Sequence, residues 1–91
     1  MKIARRLIIS GRVQGVGFRY FAQRAAARHR IYGYVRNLED GRVEAHAEGS
    51  VEQVKGFAED LAAGPTHSQV SGVEELVAEA TGQYSSFRIE R

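Results

Sequence analysis

The amino-acid sequence predicts an α+β fold in which two helices pack on one face of a mostly antiparallel sheet. Two segments show the three-and-four spacing of apolar residues that is typical of an amphipathic helix. Shorter segments with alternating apolar residues surround them. Between two of these shorter segments lies the tripeptide Glu39-Asp40-Gly41, whose Asp-Gly pair provides the positive φ that a hairpin turn needs.

The first half of the chain predicts a strand, a helix and a hairpin. Residues 3–10 alternate as a strand does, and residues 18–30 are an alanine-rich segment with helical spacing. Residues 31–38 and 42–48 form the two strands of the hairpin. In the second of these strands apolar residues alternate with Glu44, His46 and Glu48, so we expect one face to be exposed to water.

The second half predicts another helix and two strands. Ser50, followed three residues later by Gln53, has the pattern of a capping box, and Gly64-Pro65 ends the helical spacing. Residues 70–80 alternate imperfectly and residues 86–91 read as a short last strand. The order is βαββαβ plus a short C-terminal strand, which is the pattern of the ferredoxin-like α/β sandwich. We expect residues 1–91 to form a single domain.

Composition excludes several classes of protein. Of the 91 residues, 43% are hydrophobic and 26% are charged, as in ordinary globular chains, and none is cysteine, so disulfides and thiolate chemistry are excluded. The apolar run near the N-terminus is too short for a signal peptide or a membrane span. We therefore expect a cytoplasmic protein that does not bind a membrane.

Charge is distributed unevenly along the chain, although its net value is only +2. Nine basic residues precede the first acidic residue, Glu39: Lys2, Arg5, Arg6, Arg12, Arg19, Arg24, Arg28, Arg30 and Arg36. The charges could simply mix on the folded surface. Alternatively, they could form a surface that attracts a phosphorylated ligand or a nucleic acid.

A glycine-bearing segment joins the first strand to the first helix. Gly11, Gly15 and Gly17 fall within seven positions, and Arg19 follows in the first helical turn. Amides at a helix start lack intrahelical acceptors, so such a loop is suited to hold an anion, which would also offset the unfavourable placement of the arginine. The spacing does not fit a nucleotide P-loop or a dinucleotide-binding fingerprint.

Two motifs resemble the signatures of the acylphosphatase family. Residues 11–19 (GRVQGVGFR) match G-x-V-Q-G-V-x-F-R at every fixed position, and residues 32–44 (YGYVRNLEDGRVE) resemble G-[WY]-V-R-N-x-x-D-G-x-V-E. The similarity covers essentially the whole chain. Tyr34 stands where many members have tryptophan, and Glu39 where many have proline.

The resemblance implies metal-independent hydrolysis of acyl phosphates to a carboxylate and inorganic phosphate, without a cofactor. It implies that Arg19 binds the phosphate and that Asn37 positions the attacking water. It also implies a phosphate-binding loop of Gln14, Gly15, Val16, Gly17, Phe18 and Arg19. The partners expected are a small-molecule acyl phosphate and inorganic phosphate or other anions that act as product or inhibitor, and we expect a monomer.

Strand parity gives Asn37 some independent support, because it shares a face with Ile31, Gly33 and Val35. A polar amide on a face covered by helices needs a partner such as a water. The histidines His29, His46 and His67 have no ligand-like spacing, so we expect surface residues and no metal site.

Two other functions fit the same fold. Tyr32, Tyr34 and Arg36 could stack RNA bases on the open face of the sheet, although Glu44 and Glu48 on that face would repel phosphates. We therefore expect no nucleic-acid partner. An anion-binding module without turnover is the other alternative, and the presence of both Arg19 and Asn37 argues against it.

Overall fold

The computed structural model describes residues 1–91 and contains two helices and a five-stranded sheet. The elements are β1 (Ile3–Arg12), α1 (Phe18–His29), β2 (Tyr32–Asn37), β3 (Val43–Gly49), α2 (Val51–Ala63), β4 (Gln69–Ala78) and β5 (Phe87–Glu90). The sheet order is β4-β1-β3-β2-β5, and every pair of neighbours is antiparallel except β2 and β5. The predicted fold class is therefore confirmed. Neither helix is long and apolar enough to span a bilayer.

Local sequence signals define most of the element ends. Ser50 and Gln53 form the predicted capping box at the start of α2, and Gly64 ends that helix with φ 71°. Gly41 adopts φ 95° in the β2–β3 turn, as the hairpin pattern predicted. Helix α1 ends at His29 because Arg30 takes the left-handed conformation and its amide caps the helix.

The first strand is longer than the predicted residues 3–10. It continues to Arg12 because β4 pairs with it beyond a register shift at Ser10 and Gly11. Gly11 therefore lies in β1, not in the loop that follows. A Cβ at Gly11 would lie 2.1 Å from the carbonyl oxygen of Gln69, so glycine permits this close pairing.

The hydrophobic core lies between the helices and one face of the sheet. Its fully buried side chains include Leu7, Ile9, Val35, Phe57 and Leu61, and the alanines of α1 allow that helix to approach closely. An ion pair between Arg28 and Asp60 at 2.8 Å also connects the two helices.

The opposite face of β3 is buried, so the prediction of a water-exposed face is wrong. Glu44, His46 and Glu48 are only 7%, 4% and 1% exposed. Strand β3 is central in the sheet, and Tyr84 of the β4–β5 connection (residues 79–86) packs on His46. The prediction of a surface histidine is likewise wrong for His46, because alternation shows which residues share a face but not what covers that face.

Glu48 anchors the β4–β5 connection to the sheet. Its carboxylate accepts hydrogen bonds at 3.0 Å from the backbone amides of Thr81 and Gly82 and from the Thr81 hydroxyl. His46 Nε2 lies 2.8 Å from the same carboxylate. Burial opposes the ionisation of Glu48, but these hydrogen bonds outweigh it and lower its pKa from 4.5 to about 2.

We predict that Glu48 makes the free energy of unfolding depend on pH in the acid range. Because the folded-state pKa is lowered, this stabilisation is complete above pH 4.5 and is lost as the pH falls towards 2. The loss should amount to roughly 3 kcal/mol, measured by urea denaturation at a series of pH values. Glu48→Gln should be less stable at pH 7 and should lose less stability on acidification. The exposed Glu79→Gln serves as control, and a Glu48→Gln curve parallel to wild type would contradict the prediction.

Gly33 permits the close approach of β2 to β3. Its φ is 147°, and a Cβ there would lie 1.8 Å from the carbonyl oxygen of His46. We predict that Gly33→Ala lowers the free energy of unfolding by about 3 kcal/mol or more, because strain and steric overlap add. Gly72→Ala, where a Cβ would meet no atom within 4 Å, is the matched control. Equal effects of the two substitutions in chemical denaturation would refute this account.

Candidate functional site

The predicted phosphate-binding loop, Gln14 to Arg19, spans most of the connection between β1 and α1 and the start of that helix. This connection, residues 13–17, is called the glycine loop below. Val13 and Phe18 are buried in the core and fix the two ends of the loop. Between them Gly15 and Gly17 adopt φ values of 76° and 75°, and neither has an atom near the position that a Cβ would take. The loop is therefore fixed at its ends and open to solvent at its glycines.

The backbone amides of residues 14–20 donate no hydrogen bond to any protein group. The first amide of this region with an acceptor is that of Phe21, which donates to the carbonyl oxygen of Gly17 at 3.0 Å. The N-cap residue is Gly17, which provides no side-chain cap, and the first turn of α1 contains no acidic residue. Seven consecutive amides are thus left without a protein acceptor at the positive end of a helix dipole.

Arg19 is held at the start of α1 by the last strand. Its Nη1 donates to the backbone carbonyl of Glu90 at 3.1 Å, and the side chain is half-buried. Only one of its five N–H donors is used by this bond. The guanidinium is therefore oriented, and its other donors are free for a ligand.

Asn37 lies at the C-terminal end of β2 and faces the same pocket as Arg19. It shares its face of the sheet with the buried Val35, as strand parity predicted. The side chain is half-buried, and none of the side-chain hydrogen bonds of the protein involves its amide. A pocket of about 180 Å³ brings these parts together, lined by Val13, Gly15, Gly17, Phe18, Arg19, Tyr20 and Asn37.

Two residues of the predicted phosphate-binding loop do not line this pocket. Val16 packs against the core. The Gln14 side chain donates from Nε2 to the carbonyl oxygens of Leu38 and Arg42, at 2.8 and 2.9 Å. Their backbone amides still belong to the series without acceptors, but their side chains have other contacts.

The chemistry of the pocket suits an anion. Its lining includes one arginine, one asparagine and the glycine loop, and no acidic side chain. A larger groove of about 370 Å³ lies between α2 and the strands β1 and β4, but both acidic and basic side chains line it, so it has no single preference for charge.

Sequence reasoning missed two contributors to the pocket. Tyr20, which lines it and is 65% exposed, is an ordinary helical residue by spacing. Glu90 orients Arg19 through its backbone carbonyl. Because any residue has a carbonyl, the amino acid at position 90 could not indicate this contact in the sequence.

Three residues considered above for RNA or metal binding make contacts within the protein. Tyr34 stacks on His46 and donates to Glu44, and Arg36 pairs with the same carboxylate at 2.7 Å. His29 keeps 29% of its side chain exposed, and its Nε2 lies 2.8 Å from Asp60 Oδ2. No group of three or more histidine, cysteine or acidic residues is placed to hold a metal ion.

Comparisons with known proteins agree on one family. A sequence model of the acylphosphatase family matches residues 5–89. An acylphosphatase from Solibacter usitatus is 52% identical over 86 residues, 94% of this chain and 88% of the relative. One from Bacillus velezensis is 48% identical over 83 residues, 91% and 92% of the two chains. The crystal structure of an acylphosphatase from Bacillus subtilis superposes with a TM-score of 0.93, at 37% identity and with complete coverage of both chains.

We predict that Asn37→Ala leaves the fold almost unchanged. The Asn37 side chain has no protein partner, and alanine keeps the backbone pairing of Asn37 with Val43. The free energy of unfolding should therefore change by less than about 0.5 kcal/mol in urea denaturation. A loss above about 1 kcal/mol would mean that the side chain stabilises the hairpin and is not free.

Proposed function

The chain belongs to the acylphosphatase family, and we propose that its active site is the pocket between the glycine loop and Asn37. The chain is an acylphosphatase, an enzyme that hydrolyses the carboxyl-phosphate bond of acyl phosphates to a carboxylate and inorganic phosphate. The observation that carries the proposed site is a pocket where three features meet: a loop and helix start whose seven amides have no protein acceptor, a guanidinium and an unpartnered asparagine.

The amides of the glycine loop bind the phosphoryl oxygens. Positive φ at Gly15 and Gly17 allows successive N–H groups to point towards one anion, as in a backbone nest. The helix dipole adds a favourable field at the same place. Because the donors are fixed by the fold, they need little reorganisation as charge develops in the transition state.

Arg19 provides the positive charge at the phosphoryl group. A cation at a helix N-terminus costs about 0.3–1 kcal/mol when no anion is bound, so the bound phosphate relieves an unfavourable arrangement. The hydrogen bond to the Glu90 carbonyl fixes the plane of the guanidinium, which allows bidentate donation to two phosphoryl oxygens.

Asn37 positions the water that attacks phosphorus. A carboxamide holds a water through its donor and acceptor groups, and the phosphoryl oxygens held by the loop lie on the other side of the pocket. Phosphoryl transfer depends mainly on such positioning and on charge stabilisation.

The reaction needs neither a metal ion nor a strong general acid. The leaving group is a carboxylate, which departs without protonation, and a phosphoryl oxygen of the substrate accepts the proton of the water. The amides and the guanidinium stabilise the negative charge that a metal ion would otherwise neutralise.

We further propose that residues 1–91 act as one domain, as a monomer in the cytoplasm. The single 16-residue core cluster, shared by both helices and the sheet, supports one folding unit. Inorganic phosphate, the product, acts as an inhibitor because it occupies the place of the phosphoryl group.

We predict that the purified protein hydrolyses benzoyl phosphate and that EDTA does not reduce the rate. Arg19→Ala and Asn37→Ala should each lower kcat/KM by about 100-fold or more, because each removes a group that holds the phosphoryl group or the water. Ultraviolet absorbance follows the release of benzoate.

The control for Arg19→Ala is Arg24→Ala, an exposed arginine on the same helix, which should leave the rate unchanged. Equal losses in the two arginine variants would refute a specific role for Arg19. An absence of turnover in the folded wild type would refute the proposed function itself.

A further inference from the structure

The side chain of Gln14 connects the glycine loop to the hairpin that carries Asn37. Its Nε2 donates to the carbonyl oxygens of Leu38 and Arg42, at 2.8 and 2.9 Å, so both hydrogens of the amide are used. These carbonyls lie on the two sides of the β2–β3 turn. One side chain therefore holds both ends of that turn.

The two carbonyls are already part of the turn before Gln14 binds them. The Arg42 carbonyl accepts from the amide of Leu38 at 2.8 Å, and the Leu38 carbonyl accepts from the amide of Gly41 at 3.2 Å. Gln14 thus uses the second lone pair of each oxygen. Its bonds are not needed to close the turn, so their effect is to fix the loop relative to it.

The hydrogen bonds of Gln14 join two segments that each carry part of the proposed active site. Gln14 precedes Gly15, which lines the pocket, and Leu38 follows Asn37 directly. No other residue of the glycine loop makes a side-chain hydrogen bond to the hairpin. Arg19, in α1, is bonded to β5.

The loop has no other side-chain hydrogen bond that could fix this distance. Gly15 and Gly17 have no atoms within 4 Å of the positions that a Cβ would take, and Val16 between them packs against the core and makes no hydrogen bond to the hairpin. The buried Val13 and Phe18 attach its ends to the core, but neither contacts the hairpin turn through a hydrogen bond.

We infer that Gln14 is a positioning residue that sets the distance between the phosphoryl group held by the loop and the water held by Asn37. The inference rests on the proposed function. Reacting atoms must lie about 3–3.5 Å apart, and a misplacement of about 1 Å can cost about 100-fold in rate. The loop alone still binds phosphate, so the loss of Gln14 affects alignment more than affinity.

The test separates kcat from phosphate affinity in Gln14→Met, which keeps the length of the side chain and removes both donors. We expect kcat for benzoyl phosphate to fall about tenfold or more, and the inhibition constant of inorganic phosphate to change by less than about twofold. Gln14→Glu has a side chain of equal length but presents only acceptors to the two carbonyls. It should likewise lower kcat and leave the inhibition constant of phosphate nearly unchanged.

The control is Gln53→Met, which removes a glutamine from the capping box of α2, far from the pocket. It should lower stability and leave kcat unchanged, so it shows whether a general loss of stability affects the rate. If Gln14→Met does not fold, Gln14→Asn replaces it, because the shorter amide remains polar but cannot reach both carbonyls.

The outcomes distinguish the inference from the function on which it rests. An unchanged kcat in folded Gln14→Met, or a fall in kcat matched by an equal fall in phosphate affinity, would overturn the positioning role and leave the enzyme assignment intact. If the wild type itself shows no turnover, the proposed function fails. A second readout then tests the contact alone: the side-chain amide resonances of Asn37 should shift in Gln14→Met and not in Gln53→Met.

Discussion

The candidate site depends on the backbone amides of residues 14–20, which have no hydrogen-bond acceptor within the protein. Most helices satisfy their first amides with a side-chain cap, which contributes about 1 kcal/mol, and α2 does so through Ser50. The N-cap of helix α1 is instead Gly17, which has no side chain that could accept hydrogen bonds from these amides. The rest of the fold offsets this local instability, because Phe18 and the alanines that follow it are buried against the sheet.

The sheet order brings separate parts of the chain to these amides. Strand β2 carries Asn37 at its end, and β5 pairs with β2 in parallel, so the carboxyl ends of both strands lie at the same edge. The Glu90 carbonyl at the end of β5 is thereby placed where it orients Arg19. Each part is chemically ordinary, and its function depends on the strand order that makes the parts neighbours.

Structural features that are determined by a few neighbouring residues were predictable from the sequence. The Asp-Gly turn and the capping box require particular residues at fixed offsets, and both are present in the structure. The alternation that includes Asn37 also indicated its face correctly. The helix start indicated an anion beside Arg19, and the resemblance indicated the specific roles of Arg19 and Asn37.

Features that depend on distant partners were not predictable. The burial of His46 and Glu48 depends on the β4–β5 connection, which lies more than 30 residues further along the chain. The contacts of the Gln14 side chain are with backbone carbonyls, which have no residue-specific signature. The same holds for the carbonyl that orients Arg19.

The attachment of Arg19 to the Glu90 carbonyl also has a consequence for biosynthesis. During translation the glycine loop, α1 and the hairpin leave the ribosome long before β5 does, because domains are synthesised from the N-terminus. The guanidinium acquires its orientation only when the last strand docks beside β2. A chain whose β5 has not yet been synthesised therefore has the glycine loop without the hydrogen bond that orients Arg19.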